Sequence, residues 1–208
     1  MKEEDLFVKL KFRPSQLEAL RQLYFKYFEP KIPLNYKYAG TALVFVWQEN
    51  IDWKKSEGHD IMHNNVGFSV HDCVGDPLWQ EFSDLLPHMM NSCVVTKMPG
   101  RSTMAPHVDR GWRPEAIYFP IEGCTPGCLS QYYEHPKTKS NLRQVSTANL
   151  KVLYEYAIYD AAWLTNVHEY HGVKNLTELE RTAFGWNFKS ISMSFKECRE
   201  ILGDLGYI

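Results

Sequence analysis

The second half of the chain is a succession of short β-rich segments, and this pattern constrains the fold more than any other feature of the sequence. Valine, isoleucine, tyrosine, phenylalanine and tryptophan recur in runs from about residue 92, with glycine, proline, asparagine and charged residues between the runs. Many short strands separated by turn residues predict a barrel or a sandwich. The predicted strands lie in SCVVTKM (92–98), AIYFPI (116–121), LSQYYE (129–134), KVLYEYAI (151–158), AAWLTNV (161–167) and RTAFGWNF (181–188).

The order of these segments fits a double-stranded β-helix, the jelly-roll type found in cupins, although sandwiches of other topology fit it almost as well. We therefore predict an α+β, mainly β protein in which N-terminal helices flank the jelly-roll. The chain has 208 residues and contains no internal repeat or long linker, which favours one domain over residues 1–208. Within it, residues 1–91 are expected to supply supporting helices and strands, and residues 92–190 the catalytic β core.

Three segments of the first half have a clear secondary-structure preference. Residues 14–28 carry apolar side chains at steps of three and four behind Pro14, which predicts an amphipathic helix. Residues 41–48, TALVFVWQ, are β-branched and aromatic and predict a strand. Residues 77–90 predict a second helix that Pro87 ends or bends.

Charge and composition narrow the range of partners. The formal net charge is −2, so no strong positive field indicates duplex nucleic acid or an anionic membrane. No apolar run approaches the roughly 20 residues of a membrane span, and the acidic start MKEEDLFVKL is unlike a signal peptide. The five cysteines are an odd number, which is typical of free thiols in a reducing compartment, so we expect a cytoplasmic protein.

The stretch MAPHVDRGW places His107 and Asp109 two residues apart in a segment that follows Pro99-Gly100. Because side chains alternate along an extended chain, the imidazole and the carboxylate would point the same way and could bind one ion. Two histidines and one carboxylate on one face of a metal leave other positions open, as in non-haem Fe(II) oxygenases. A pair with this spacing also arises by chance, with His107 on the surface and Asp109 capping a turn.

A later histidine and arginine complete a possible site. His171 follows a strand-like run and precedes Gly172, and Arg181 opens the last predicted strand ten residues later. An antiparallel return would bring Arg181 beside His171. A buried arginine needs an anionic partner, and a carboxylate is its usual bidentate match. Alternation along this strand would point Arg181, Ala183, Gly185 and Asn187 to one side.

His168 is a rival ligand, because it lies three residues before His171 and would share its face if the segment were helical. A helical His-x-x-His with a carboxylate would indicate zinc. The segment contains no helix start, and Gly172 would interrupt a helix, so the sequence favours His171.

In order and spacing, these residues resemble the 2-oxoglutarate and Fe(II)-dependent dioxygenases, whose pattern is H-x-D…H…R. The resemblance covers about residues 92–190, and Pro99-Gly100 together with residues 117–121 is similar to the branch of aspartyl/asparaginyl and free-proline hydroxylases. It implies that iron binds three side chains and that an arginine binds the distal carboxylate of 2-oxoglutarate. The implied iron ligands are His107, Asp109 and His171, and the implied arginine is Arg181.

The chain departs from the family at one position. Many members carry a hydroxyl residue two positions after the arginine, where this chain has Ala183. The second hydrogen bond to the distal carboxylate is therefore expected from Tyr118 or Thr96. Trp112, in the loop after the predicted ligand pair, is expected to line the mouth of the substrate pocket.

The resemblance implies an oxygenase that uses Fe(II), O2 and 2-oxoglutarate, supported by ascorbate, to hydroxylate a C–H bond while releasing succinate and CO2. We expect the substrate to be a small amino acid or a protein side chain, and thus a small molecule or a peptide. Three alternatives remain open: an oxygenase acting on a nucleic-acid base, a non-redox cupin-like metalloenzyme, and a binding module without chemistry.

Overall fold

The computed structural model describes residues 2–32, 64–70, 73, 75–109, 115–135, 150–190 and 192–208. Within these residues, ten strands form two sheets, and the helices and helical turns lie before β3 and after β10 in the chain. The strands are β1 (Phe7–Lys9), β2 (Asn64–Ser69), β3 (Met89–Met98), β4 (Ser102–His107), β5 (Ala116–Glu122), β6 (Cys128–Tyr133), β7 (Val152–Ala157), β8 (Trp163–Thr165), β9 (His171–Asn175) and β10 (Arg181–Phe188).

The strand order identifies a double-stranded β-helix. The larger sheet has the order β1-β8-β5-β10-β3-β2, and the smaller sheet has the order β4-β9-β6-β7. All described pairings are antiparallel. From β3 to β10 the chain passes back and forth between the sheets, with four of these eight strands in each, while β1 and β2 extend the edges of the larger sheet. The jelly-roll predicted from the short strands is confirmed.

The first predicted helix is also confirmed. The helix α1 (Pro14–Leu23) begins with its proline in the first turn, where the missing N–H costs no hydrogen bond. It continues into a π-helical turn (Tyr24–Phe28) and a 3₁₀ turn (Glu29–Lys31) that contains Pro30. The predicted strand at 41–48 lies outside the described residues.

The predicted helix at residues 77–90 is wrong. This segment forms two 3₁₀ turns (Pro77–Phe82 and Leu86–His88), and Met89 and Met90 already belong to β3. Asp76 starts the first turn by accepting a hydrogen bond from the N–H of Leu78 at 3.0 Å. Because Pro87 has no N–H to donate, it would kink or break an α-helix that passed through this segment.

The helices cover the outer face of the larger sheet. Every second residue of β10 points outward, and Trp186 meets Trp79 with a ring-centroid distance of 5.2 Å. The C-terminal helix α2 (Phe195–Asp204) adds Leu202 to the same core. None of the helices within the described residues is long and apolar enough to cross a membrane. The core also includes Leu20, Leu23, Phe28, Phe82, Phe119, Phe184 and Phe188.

A second, smaller cluster lies between the two sheets. Phe7 on β1 packs 4.4 Å from the ring of Tyr156 on β7. The hydroxyl of Tyr156 is 2.7 Å from that of Thr165 on β8, which joins the sheets at this edge. The interior between β9 and β10 is lined differently, because β10 presents the small residues Ala183 and Gly185 there. This part of the interior holds the polar site.

Candidate metal centre

Three predicted ligands meet at one end of the β-helix. The ligand atoms of His107, Asp109 and His171 all lie within 4.8 Å of one another. Nε2 of His107 is 3.4 Å from Oδ1 of Asp109, and the Asp109 side chain is only 4% exposed whereas that of His107 is 24% exposed. Among the described residues, no other group of three His, Cys, Asp or Glu side chains is this close. The cluster is therefore largely buried, and His107 is its most exposed member.

Strand register accounts for the two histidines. His107 is the last residue of β4 and His171 the first of β9, and the two are paired across the smaller sheet. Directly paired residues of antiparallel strands point to the same side. The register of this pairing shifts between Met104 and His107, just before the predicted ligand. The ring centroids of the two histidines are consequently 4.5 Å apart.

The loop before β9 orients His171. Its Nδ1 is 2.8 Å from the carbonyl oxygen of Glu169. Since a carbonyl oxygen only accepts, Nδ1 carries the proton and Nε2 carries the lone pair that a metal needs. Histidine ligands usually have such a partner behind the ring.

Asp109 is tied to the same loop through its backbone. Its N–H donates to the carbonyl of Val167 at 2.9 Å, and the N–H of Val167 donates to Oε2 of Glu115 at 3.1 Å. Burial raises the pKa of the Glu115 carboxyl to about 7, the Val167 N–H opposes this effect, and the charge of Asp109 adds to it. Glu115 therefore supports the loop that leads to His171 and binds the backbone of Asp109.

The rival ligand His168 has a different neighbour. Its Nε2 is 3.8 Å from Oε1 of Glu115. It lies outside the cluster of His107, Asp109 and His171. The structure thus groups His171, the histidine that the sequence favoured, with the other two predicted ligands. It places His168 beside Glu115 instead.

Arg181 is the first residue of β10 and is 4% exposed. In the described part of the chain, its Nε has no hydrogen-bond partner. Burial raises the pKa of the neighbouring Cys124 thiol, and the positive charge of Arg181 opposes that effect. A buried cation with an unmatched donor is costly, and a bound carboxylate would match it.

Arg181 and the metal cluster lie at opposite ends of the same interior. His171 begins β9 and Asn175 ends it, a span of about 13 Å at 3.3 Å per residue. Arg181 follows after a short loop, so it starts β10 at the end where β9 finishes. The Asn175 side chain fixes this loop by donating to the carbonyls of Pro99 and Leu179 at 3.0 and 2.7 Å.

The two residues predicted to assist Arg181 in binding the distal carboxylate lie on the strands that flank β10. Thr96 on β3 is paired with Ala183, and Tyr118 on β5 is paired with Gly185. A Cβ on Gly185 would lie 3.0 Å from Cε1 of Tyr118, so the Tyr118 ring covers this glycine. Both side chains thus share the inner face with Arg181. Trp112 lies outside the described residues.

The donor set fits Fe(II). Two imidazoles and one carboxylate in a buried cluster are the ligands that non-haem iron oxygenases use, and they leave positions for further ligands. The buried Nε of Arg181, without a partner in the described chain, fits an anionic group deeper in the same interior.

Sequence reasoning assigned no role to Glu115 or Asn187. Glu115 carried no signal, because its contact with Val167 joins segments far apart in the chain. Asn187 was placed on the inner face by alternation, but nothing in the sequence showed that its Oδ1 lacks a partner among the described residues.

No family model matches the chain, and no curated protein matches it. Solved structures are similar at low identity. A prolyl hydroxylase from Trichoplax adhaerens, in complex with a hypoxia inducible factor peptide fragment, is 14% identical over 94% of this chain and 87% of that one, with a TM-score of 0.47. A Pseudomonas putida prolyl-4-hydroxylase is 13% identical over 88% and 91%, with a TM-score of 0.45.

A third structure, an oxidoreductase of the 2OG-Fe(II) oxygenase family from Burkholderia pseudomallei, is 15% identical over 64% of this chain and 70% of that one, with a TM-score of 0.37. All three TM-scores lie below 0.5. At this level of similarity the three structures assign no activity to the chain, so its function has to be inferred from the residues of the site.

Proposed function

We propose that the chain is an Fe(II)- and 2-oxoglutarate-dependent oxygenase that hydroxylates a C–H bond of a small amino acid or a protein side chain. His107, Asp109 and His171 would hold the iron. Arg181 would hold the distal carboxylate of 2-oxoglutarate, with Thr96 and Tyr118 beside it. The described elements would act as one catalytic domain, in which residues 1–91 support the β core.

The observation that carries this proposal is the pairing of two unmatched features in one interior. A cluster of three ligand atoms within 4.8 Å calls for a cation at one end. The buried Nε of Arg181, which has no partner among the described residues, calls for an anion at the other end. A dicarboxylate that chelates the metal and reaches the arginine would satisfy both. A non-redox cupin-like metalloenzyme requires the cluster but has no use for the arginine.

The residues of this chain would position the reactants and keep water away from them. The bound iron and 2-oxoglutarate supply the chemistry: O2, 2-oxoglutarate and a substrate C–H bond yield a C–OH group, succinate and CO2. Asp109 and His171 are held by backbone contacts of one loop, which fixes two ligands relative to each other. Fixed ligands and a largely apolar frame are what such a reaction needs from a protein.

The proposed substrate class rests on the resemblance of the sequence to amino-acid hydroxylases at Pro99-Gly100 and residues 117–121. A net charge of −2 gives little support to an enzyme for duplex nucleic acid. A base taken out of its stack is the alternative.

Succinate release tests the activity. The purified chain is incubated with Fe(II), ascorbate and 2-oxoglutarate, alone and with L-proline, L-lysine, L-asparagine, blocked prolyl and asparaginyl peptides, adenosine or cytidine. We expect succinate to increase with an amino acid or a peptide, and His171→Ala to abolish the release. Stimulation by a nucleoside alone would contradict the substrate class, and no succinate from the wild type would contradict the activity.

A further inference from the structure

The carboxamide of Asn187 is a buried group that the iron site leaves unexplained. Asn187 is 8% exposed, and within the described residues its Oδ1 has no hydrogen-bond donor. Buried polar atoms are nearly always hydrogen-bonded, because removing them from water without a partner costs free energy. A buried acceptor without a donor among the described residues is available to a donor that a ligand brings.

Alternation along β10 places this side chain inside the β-helix. Its neighbours Trp186 and Phe188 point outward into the large core with the helices. Asn187 therefore shares the inner face with Arg181, six residues earlier on the same strand.

Strand pairing places Asn187 at the metal end of that face. Asn187 is paired with Ala116 on β5, directly after Glu115. Glu115 in turn accepts the hydrogen bond from Val167, whose carbonyl accepts from the N–H of Asp109. Arg181 lies about 20 Å away along β10, at 3.3 Å per residue. Within the described residues, β10 thus carries a donor without a partner at the Arg181 end and an acceptor without a partner at the metal end.

The chemistry of an acceptor limits what can meet it. At neutral pH 2-oxoglutarate offers only acceptor oxygens, and O2 has no proton to donate. An amide oxygen needs an N–H or an O–H group. We propose that Asn187 is a specificity-determining residue whose Oδ1 accepts a hydrogen bond from an N–H or O–H group of the substrate. It selects substrates that carry such a donor close to the C–H bond that is hydroxylated. This inference rests on the proposed function.

The test uses Asn187→Leu, which keeps the branched shape and removes the acceptor. An orphaned acceptor contributes nothing to the free protein, so this variant should melt at or above the wild-type temperature. Its matched control is Asn175→Leu, because Asn175 is fully buried and its amide is hydrogen-bonded to the carbonyls of Pro99 and Leu179. The control should melt at least about 5 °C lower.

The second readout is turnover with the amino acid or peptide that most stimulates succinate release by the wild type. Asn187→Leu should lower kcat/KM for it by at least about tenfold, mainly through KM. Its affinities for Fe(II) and 2-oxoglutarate, measured anaerobically, should stay within about twofold of wild type.

Three results overturn the inference. A lower melting temperature would mean that the Asn187 carboxamide is bonded within the protein. Weaker Fe(II) or 2-oxoglutarate binding would place its partner on the metal or the co-substrate, and unchanged kcat/KM would mean that no substrate donor meets it. A wild-type protein that forms neither the iron complex nor succinate refutes the proposed function instead, and the inference falls with it.

Discussion

His107 and His171 face each other across β4 and β9, with their ring centroids 4.5 Å apart. One histidine ends its strand and the other begins its strand, so the pairing of two strands brings together residues that are far apart in sequence. The geometry of the proposed iron site consequently depends on how closely these two backbones approach.

Gly172 controls that approach, and we expect Gly172→Ala to weaken metal binding. A Cβ at this position would lie 2.9 Å from the carbonyl oxygen of Met104 and 3.3 Å from the nitrogen of Pro106, both of them backbone atoms of β4. Overpacking of this kind costs about 1–3 kcal/mol. β4 would have to move away from β9 and take His107 with it. Isothermal titration with Fe(II) under anaerobic conditions should show an affinity at least about tenfold lower.

The control for this variant is Gly203→Ala in α2, where a Cβ meets nothing within 4 Å. It should leave iron affinity unchanged and raise the free energy of unfolding by up to about 1 kcal/mol. Equal iron affinity in Gly172→Ala and the wild type would show that the approach of β4 and β9 does not set the site.

Arg181→Leu should specifically weaken binding of 2-oxoglutarate. Removing one partner of a buried, hydrogen-bonded charge pair typically costs about 2–5 kcal/mol, which corresponds to at least about 30-fold in affinity. Fe(II) binding should persist, because Arg181 lies at the end of β10 that is far from the metal cluster. The control is Arg101→Ala in the exposed turn between β3 and β4, where Arg101 pairs with Glu178. A Kd for 2-oxoglutarate that is the same in Arg181→Leu and wild type would favour a non-redox metalloenzyme.

Glu115 should make the metal-free protein less stable as the pH rises from about 4.5 to about 7. Burial raises its pKa from 4.5 to about 7, so the folded protein keeps a proton that the unfolded chain releases in this range. Stability is therefore highest below the unfolded pKa and declines until the folded pKa is passed. The loss is on the order of 3 kcal/mol.

Chemical denaturation with a chelator present, between pH 4.5 and 7.5, measures this effect as the difference between the wild type and Glu115→Gln. The chelator is needed because a bound cation would favour the ionised carboxylate. A difference that is constant across the range would mean that Glu115 ionises normally in the folded protein.

The fold was predictable because the β pattern is local. Each predicted strand after residue 92 overlaps an observed strand, since β-branched and aromatic residues between turn residues suit a half-buried pleated surface. The secondary structure of residues 77–90, by contrast, was predicted wrongly. Its apolar spacing suits a helix, but Pro87 and the pairing of Met89 in β3 divide it into short turns and a strand.

The site was predictable as far as spacing can indicate it. The spacings of His107, Asp109, His171 and Arg181 match the family pattern, but β4 and β9, which carry the two histidines, are not among the predicted strands. The roles of Glu115 and Asn187 depend on which backbone N–H or ligand meets a side chain, and hydrophobic periodicity contains no information about that. His168 and His171 were separable only by weak local signals, whereas the structure gives each a different neighbour.

The most direct test of the iron site is an anaerobic titration of the chain with Fe(II) and 2-oxoglutarate, followed by visible absorption. A metal held by His107, Asp109 and His171 and chelated by 2-oxoglutarate should produce a charge-transfer band in the wild type. The band should be lost in His107→Ala, with folding of that variant checked by circular dichroism. An undiminished band in His107→Ala, or no band in the wild type, would contradict the assignment.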